Sequence, residues 1–315
     1  MSKTIFFEKL LQNNKFSALA IDQGTSLKNI IKEKKQNMFQ EQDYYTFKKE
    51  IITKLGTKLS SVLFDYDTYA NDPFYLKLDI PKIIAYEDDA YHIDNKERIT
   101  LLPKKLNKNS KPLNDFSAIK FFMYYNPDSQ KETNDKKNIL IKQIGMMCKD
   151  LDTPFLFEPL LYYDQSTNIS EEEYFAKKPI YIEHFYNEFS KPSYQVDIIK
   201  IEFPFNEFEV KGFENDLTQI RYNQKNCEDI LQTCFQNSSV PFVFLSAGMK
   251  FNNFLSSLEL AKTSNINTLG FLCGRSLWQD SIDIFSTKNI ESFLNWLDTE
   301  GLNRVKKLKK TLIND

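Results

Sequence analysis

Histidine is scarce in this sequence of 315 residues, and its scarcity excludes one class of site. Only His92 and His184 are present, so one chain cannot supply three histidine ligands to a zinc ion. The four cysteines form no CxxC pair, which argues against a zinc cluster and indicates reduced thiols of a cytoplasmic protein. We therefore expect neither a metal nor a cofactor. The cysteines are Cys148, Cys227, Cys234 and Cys273.

The sequence also lacks the features of a membrane-bound, exported or nucleic-acid-binding protein. No run approaches the roughly 20 apolar residues of a membrane span, and the first residues, MSKTIFFEKLLQ, lack the basic and apolar regions of a signal peptide. The 41 basic and 43 acidic side chains leave a formal charge of −2, so a global basic surface for nucleic acid is missing. We expect a cytoplasmic protein that binds neither membranes nor nucleic acid.

Two phosphate-binding motifs are absent, GxGxxG of dinucleotide-binding sheets and GxxxxGK[ST] of the P-loop. The sequence has instead eight short runs rich in β-branched and aromatic residues, each followed by a polar, helix-like stretch. Such apolar runs are typical of parallel strands covered on both faces. They predict a single-domain (β/α)8 barrel over residues 1–315, with an open doubly wound sheet as the alternative. The runs are FSALAID (16–22), SSVLFD (60–65), PKIIAY (81–86), FSAIKFFMYY (116–125), TPFLFEPL (153–160), VDIIKIEF (196–203), VPFVFLSAG (240–248) and TLGFLCG (268–274).

The segments between these runs carry helical spacing. In 44–59, apolar residues recur at three- and four-residue steps and are separated by Lys and Glu. Thr25 or Ser26 is expected to cap a helix that begins near Leu27. Residues 66–80 are the weakest point of the pattern, because they leave little room for a full helix between the second and third strands.

In a barrel of this kind the active site lies at the carboxyl ends of the strands, so charged residues there are candidates. Lys200 is the most informative, because it lies among isoleucines in VDIIKIEF and a buried ammonium group must be paired or neutralised. Lys120 has a similar place in AIKFF. Burial and a nearby like charge both favour a neutral amine, the form that attacks a ketone to give a Schiff base. The charged candidates are Asp22, Asp65, Lys120, Glu158 and Lys200.

Glu158, in FLFEPL, is a carboxylate in an apolar setting and suits general acid–base work on a carbinolamine. Each of these residues also has a purely structural interpretation. Lys200 is two positions from Glu202 on the same face of one strand, so a salt bridge between the two is an open alternative. Two lysines and one glutamate at the ends of three neighbouring strands nevertheless favour a shared site.

A second group of candidates follows the seventh and eighth strands, where barrels frequently bind phosphate. Small residues let the backbone approach an anion, and an arginine adds a permanently charged, bidentate donor. Arg275 is one of only four arginines in the chain. A tight turn with a surface arginine is the alternative. The candidate phosphate-binding residues are Ser246, Ala247, Gly248, Gly274 and Arg275.

Six motifs, in order and spacing, resemble the class I tagatose-1,6-bisphosphate aldolase family, over residues 5–300. They are also similar to the relatives of that family that cleave sulfofructose 1-phosphate. The resemblance implies a (β/α)8 barrel that splits a ketohexose bisphosphate reversibly, without metal, into dihydroxyacetone phosphate and glyceraldehyde 3-phosphate. The motifs are FSALAIDQGTSLKNII, AIKFFMYY, PFLFEPLLYYD, VDIIKIEFPF, PFVFLSAGM and GFLCGRSLW.

The resemblance also implies a role for each candidate. Lys200 matches the Schiff-base lysine, Glu158 the acid–base carboxylate, and Lys120 the lysine that supports the site electrostatically. Asp22 and Gln23 match a pair near the hydroxyls of the bond that is broken. The residues that match the grip on the phosphate of the dihydroxyacetone end are Ser246, Gly248, Gly274 and Arg275, with Ala247 between the first two.

One departure from the family pattern bears on the far end of the substrate. The family usually has DQRG after the first strand, whereas this chain has Asp22-Gln23-Gly24-Thr25. A cation is lost there, with Lys28 as a candidate substitute, so a 6-phosphate, a sulfonate or an uncharged group all stay open. A sugar-phosphate sensor built on the same barrel is the alternative of another class. The sequence shows no interface, and self-association stays open.

Overall fold

Eight parallel strands form a closed barrel in which each strand pairs with the next and the last pairs with the first. The computed structural model describes residues 3–106, 113, 115–164, 169–214, 220–236 and 239–312. Each of the eight predicted runs contains one strand, except that the strand in TPFLFEPL (153–160) extends one residue further, to Leu161. Because the sheet is closed, the predicted barrel is confirmed and the open sheet is wrong. The strands are β1 Phe16–Ala20, β2 Ser61–Phe64, β3 Lys82–Ala85, β4 Ala118–Tyr125, β5 Phe155–Leu161, β6 Ile198–Ile201, β7 Phe242–Phe244 and β8 Gly270–Cys273.

Most of the helices connect successive strands and cover the outer face of the barrel. The helices are α1 Lys3–Lys9, α2 Thr25–Lys35, α3 Glu41–Lys54, α4 Tyr66–Asn71, α5 Phe74–Lys77, α6 Lys131–Asp150, α7 Glu171–Ala176, α8 Lys178–Phe189, α9 Gln224–Phe235, α10 Phe251–Thr263, α11 Arg275–Trp278, α12 Ser281–Thr287, α13 Ile290–Trp296 and α14 Leu302–Thr311. The helix expected over 44–59 is α3, which ends earlier and passes into a short 3₁₀ turn at Gly56–Lys58. In the described part of the chain, no helix combines the length and the apolarity needed to cross a membrane.

Two short helices, α4 and α5, fill the connection for which the sequence left little room. The prediction that Thr25 or Ser26 caps α2 is wrong, because Thr25 is already the first residue of that helix. Gly24 precedes Thr25 and makes no side-chain hydrogen bond. The backbone N–H of Thr25 donates instead to the carboxylate of Asp89, at 2.6 Å. An acid from another loop therefore takes the role that the sequence gave to Thr25 or Ser26.

Strand residues alternate between two hydrophobic cores, as the pleat of a strand requires. One set points into the barrel and fills it with small and branched side chains, while the other packs under the helices. The inner set positions the site, because the charged candidates continue its alternation toward the carboxyl ends. The inner residues include Ala18, Ala20, Leu63, Ile83, Ala85, Ala118, Leu156, Ile198, Val243 and Leu272.

An aromatic cluster joins α3 to the helices that follow β8. The Phe47 ring is fully buried, and its centroid lies 5.8 Å from that of Trp278 and 5.3 Å from those of Phe285 and Phe293. Trp278 is the last residue of α11 and donates through its indole N–H to the carbonyl oxygen of Ala20, at 3.1 Å. The cluster therefore fixes the short helix that begins at Arg275.

Phe47→Ala is expected to destabilise the protein by about 3–5 kcal/mol, because it removes a buried ring and leaves a cavity among three aromatic neighbours. The free energy of unfolding in urea measures the change. Met38→Ala is the control, since the Met38 side chain is 74% exposed and should contribute little. Equal effects of the two substitutions would contradict the role given to the cluster.

Candidate active site

A cavity of about 550 Å³ opens at the carboxyl ends of the strands. The ten residues named from the sequence as catalytic or phosphate-binding all line it. Each strand contributes to its wall, as expected for a barrel whose chemistry is built on the loops after the strands. The lining residues include one in or after each strand, which in order from β1 to β8 are Asp22, Asp65, Glu87, Lys120, Glu158, Lys200, Ser246 and Gly274.

Lys120 lies at the centre of a buried group of charges. Its Nζ is 2.6 Å from Glu87 Oε1, 2.9 Å from Glu158 Oε2 and 3.1 Å from Asp22 Oδ2. The Lys120 side chain is 4% exposed and those of the three acids between 6% and 13%. Because so little water reaches these groups, the contacts among them determine which of them are charged.

Glu158 connects the two lysines of the site. Its second oxygen, Oε1, is 2.8 Å from Nζ of Lys200, so one carboxylate accepts from both amines. The alternative pairing of Lys200 with Glu202 is wrong. Glu202 accepts instead from the backbone N–H of Leu161, at 3.1 Å, and lies 3.8 Å from Nζ of Lys178.

The charge state of Lys120 is not set by the repulsion between two neighbouring amines that the sequence led us to expect. Burial alone would lower the pKa of Lys120, but Glu158, Glu87 and Asp22 raise it well above its ordinary value. Lys120 is therefore a permanent ammonium group. Burial would likewise raise the pKa of Asp22, yet the charges of Lys120 and Lys200 lower it, and Asp22 stays ionised.

Glu87 is a member of this cluster that the sequence reasoning missed. It comes two residues after the end of β3, outside the apolar run that was searched for charged groups. The signal lay in the alternation of inward-facing residues, since Ile83 and Ala85 face the barrel interior and Glu87 continues the same series. Burial raises the pKa of Glu87 to about 7, against the opposing effect of Lys120.

The residues after β7 and β8 meet at one side of the cavity. Gly248 has φ +83° and Ala247 has φ +48°, so the loop turns through left-handed conformations that glycine adopts without strain. A Cβ atom on Gly248 would lie 3.2 Å from Cζ of Arg275, which places the guanidinium against this turn. Ser246 is buried and Arg275 is exposed, so a backbone concavity and a solvent-accessible cation face the same space.

Gly24, the position in the loop after β1 that departs from the family pattern, lies against Asp89. A Cβ atom on Gly24 would lie 2.3 Å from Oδ2 of Asp89, so a larger residue would require the Asp89 side chain to move. Lys28 lines the cavity but pairs with Glu41 at 2.5 Å. The adjacent Gln23 also lines the cavity, and its Oε1 is buried without a partner among the described residues.

Asp65 differs from the other charged candidates, because its partners are structural. Its Oδ1 accepts from the N–H of Thr68 and caps α4, while its Oδ2 accepts from the Thr68 hydroxyl at 2.6 Å. The fully buried Lys48 also donates to it. Asp65 therefore anchors the loop after β2 at the edge of the cavity.

Comparisons with known proteins agree on one family. The family model described as DeoC/LacD family aldolase matches residues 16–280. A tagatose 1,6-diphosphate aldolase of Listeria innocua is 31% identical over 96% of this chain and 89% of its own length. Tagatose 1,6-diphosphate aldolase 1 of Streptococcus mutans is 29% identical over 98% of this chain and 95% of its own length.

A solved structure supports the fold independently of sequence. Fructose-bisphosphate aldolase from Plasmodium falciparum superposes with a TM-score of 0.71 over 98% of this chain and 93% of its own. The two share 11% sequence identity, so the likeness bears on the architecture alone.

Lys120→Met is expected to destabilise the protein at alkaline pH by about 3–5 kcal/mol, because three buried acids lose their shared cation. Without that cation the pKa values of Asp22 and Glu87 rise, so the folded variant takes up protons that the unfolded chain does not hold. The loss should therefore shrink as the pH falls toward the ordinary pKa of a carboxyl group. Unfolding in urea at a series of pH values measures it.

Lys105→Met is the matched control for this prediction. Lys105 pairs with Asp67 at 2.7 Å, but its side chain is 69% exposed, so its removal should change stability little at any pH. A loss for Lys120→Met that does not depend on pH would contradict the charge argument and point to packing.

Proposed function

This chain belongs to the DeoC/LacD family of aldolases, and from that premise we propose that it cleaves D-tagatose 1,6-bisphosphate, or a close ketohexose bisphosphate, through a Schiff base on Lys200. The products are dihydroxyacetone phosphate and glyceraldehyde 3-phosphate, and the reaction is reversible. The observation that carries the proposal is the bridge from Lys200 through Glu158 to Lys120. An amine, a proton carrier and a fixed positive charge are thus in contact inside one cavity.

In the first step, the Lys200 amine attacks the C2 carbonyl of the ketose. Lys200 must first give up a proton, and Glu158 lies 2.8 Å away to take it. The same carboxyl group then protonates the carbinolamine oxygen, which leaves as water and gives a protonated imine. Lys120 cannot serve as the nucleophile in this scheme, since the three acids around it keep it charged.

The protonated imine draws the electron pair of the C3–C4 bond toward nitrogen. A carboxylate takes the proton of the C4 hydroxyl, the bond breaks, and the aldehyde leaves behind an enamine on Lys200. Protonation at C3 and hydrolysis of the imine release dihydroxyacetone phosphate. We assign Glu158 to the proton transfers, and Asp22 and Gln23, the adjacent pair on the cavity wall, to the hydroxyls of the breaking bond.

The phosphate of the dihydroxyacetone end is proposed to bind between the loops after β7 and β8. The left-handed turn at Ala247 and Gly248 brings the backbone close to the cavity, and Ser246 adds a hydroxyl group. Gly274 precedes α11, whose first-turn N–H groups have no partner within the helix. Arg275 supplies the charge that anchors the anion.

The far end of the substrate distinguishes the candidate sugars. The relatives are named for a 1,6-diphosphate, which supports a bisphosphate over a sulfofructose 1-phosphate. Lys28 and Lys104 line the cavity together with Gly24 and Asp89, and the Lys104 side chain is 82% exposed with Asp88 at 3.6 Å. Turnover of the two sugars compared side by side tests this choice. Four buried, unpaired cysteines fit the reducing cytoplasm in which we place the reaction.

Borohydride reduction in the presence of dihydroxyacetone phosphate is expected to attach one three-carbon adduct to Lys200. Lys120, the other amine of the charge cluster, is kept as an ammonium group and should form no imine. Mass spectrometry of the intact protein and of its peptides locates the adduct. Lys200→Ala should remain folded, form no adduct and lose cleavage activity. An adduct on Lys120, or cleavage by the Lys200 variant, would contradict the assignment.

Arg275→Ala is expected to weaken binding of dihydroxyacetone phosphate by about 1.5–3 kcal/mol, which is the loss of one hydrogen-bonded charge and corresponds to roughly 10- to 150-fold in affinity. Inhibition constants and the KM of the ketose bisphosphate measure it. Lys250→Ala is the control for a general change in charge, since Lys250 is exposed two residues after Gly248 but does not line the cavity. Similar shifts in both variants would place the phosphate elsewhere.

A further inference from the structure

Glu87 is a buried acid in the cavity for which the scheme above has no use. Its side chain is 6% exposed, and one oxygen, Oε1, is bonded to Lys120 at 2.6 Å. The other oxygen, Oε2, is buried and has no hydrogen-bond partner among the described residues. A buried carboxylate oxygen without a donor is costly when ionised, and a neutral, protonated carboxyl group costs less to bury in the same place.

The charges of the cluster lead to the same conclusion. Asp22, Glu87 and Glu158 carry three negative charges when ionised, and Lys120 and Lys200 carry two positive charges. Five buried groups in contact would then hold a net charge of −1, which their low exposure makes unfavourable. One additional proton makes the cluster neutral.

The contacts determine which acid holds that proton. Glu158 accepts from both lysines, one at each oxygen, and Asp22 is influenced by the charges of both. Glu87 is bonded to Lys120 alone and through one oxygen. Burial accordingly raises the pKa of Glu87 to about 7, while the pKa of Asp22 is lowered.

We propose that Glu87 is a positioning residue that holds the neutralising proton on Oε2 and, through Lys120, keeps the cluster uncharged while Lys200 passes through its covalent states. The proposal rests on the Schiff-base function argued above. Glu87 neither forms a bond to the substrate nor exchanges its proton with it in this scheme. It acts through the ammonium group that it shares with Asp22 and Glu158.

The balance of protons shows why a protonated Glu87 suits every step. When the ammonium group of Lys200 becomes a protonated imine, Glu158 takes one proton and returns it, so the positive charge of Lys200 is kept and one water leaves. When the C3–C4 bond breaks, that charge is lost to the enamine, but Glu158 gains the proton of the C4 hydroxyl. With Glu87 protonated, the net charge of the cluster is zero before and after both steps. With Glu87 ionised, the net charge is −1 throughout.

Ionised Glu87 is expected to slow the reaction, because it leaves the buried cluster with a net charge of −1 that repels a phosphorylated substrate. The groups that face Glu87 are Lys120 from β4, Asp22 from the end of β1 and Glu158 from β5. Activity should therefore fall as the pH rises through about 7.

The test is the pH profile of kcat/KM for the ketose bisphosphate, from about pH 6 to about pH 9, in the wild type, Glu87→Gln and Glu87→Asp. In the wild type we expect a fall of roughly tenfold for each pH unit above about 7. Glutamine is shaped like the protonated acid but does not titrate, so this fall should be absent from the profile of Glu87→Gln. Glu87→Asp still titrates and should keep a fall.

A second measurement does not depend on activity. In infrared difference spectra recorded as the pH is raised, the carbonyl band of a protonated carboxyl group should disappear from the wild type and be missing from Glu87→Gln. A fall that persists unchanged in Glu87→Gln would overturn the proposal, as would a folded Glu87→Gln without activity at any pH, which would make Glu87 a required base. Borohydride trapping on the wild type separates these outcomes from a failure of the Schiff-base function itself.

Discussion

The site depends on the two ion pairs that the carboxylate of Glu158 makes with Lys120 and Lys200. The carboxylate accepts from Lys120 with one oxygen and from Lys200 with the other, and so fixes the ends of three neighbouring strands, β4, β5 and β6, relative to one another. A barrel makes this arrangement possible, because its parallel strands place inward-facing residues at one level and its apolar interior excludes water beneath them. Without the carboxylate, Lys200 would lose the one acid within salt-bridge distance of it in the described part of the chain, while Lys120 would keep Glu87 and Asp22.

Two similar lysines differ in chemistry because of their neighbours. Lys120 contacts three acids and is kept charged, whereas Lys200 has one acid within salt-bridge distance in the described part of the chain. In the proposed mechanism, Lys200 passes a proton to Glu158 and becomes the neutral amine that attacks the ketone. The different contacts support the proposed division of tasks, with Lys200 as nucleophile and Lys120 as fixed charge, and burial alone would not distinguish the two lysines.

Most of the fold could be predicted from the sequence, because eight apolar runs that alternate with helical segments are compatible with few architectures. The candidate residues followed from one further fact, that barrel chemistry lies at strand ends. The sequence did not predict those features of the site and of the helix cap that depend on residues close in space but distant along the chain. The cap of α2 comes from Asp89 in a distant loop, the partner of Lys200 lies on another strand, and the charge of Lys120 is set by three acids that are remote in sequence. Glu87 could have been predicted from the alternation that begins at Ile83. It was missed because the apolar run that was searched for charged residues ends at Tyr86.

The contrast between Asp22 and Glu87 shows how position sets the state of an acid. Both are buried, both contact Lys120 and both line the cavity. Asp22 also experiences the charge of Lys200, and its pKa is lowered, whereas the pKa of Glu87 is raised to about 7. A second cation within range is the difference between an acid that stays ionised and one that exchanges a proton near neutral pH. In the proposed scheme the enamine removes the charge of Lys200 from the charge cluster, and the proton that Glu158 gains keeps the net charge constant while Glu87 keeps its own proton.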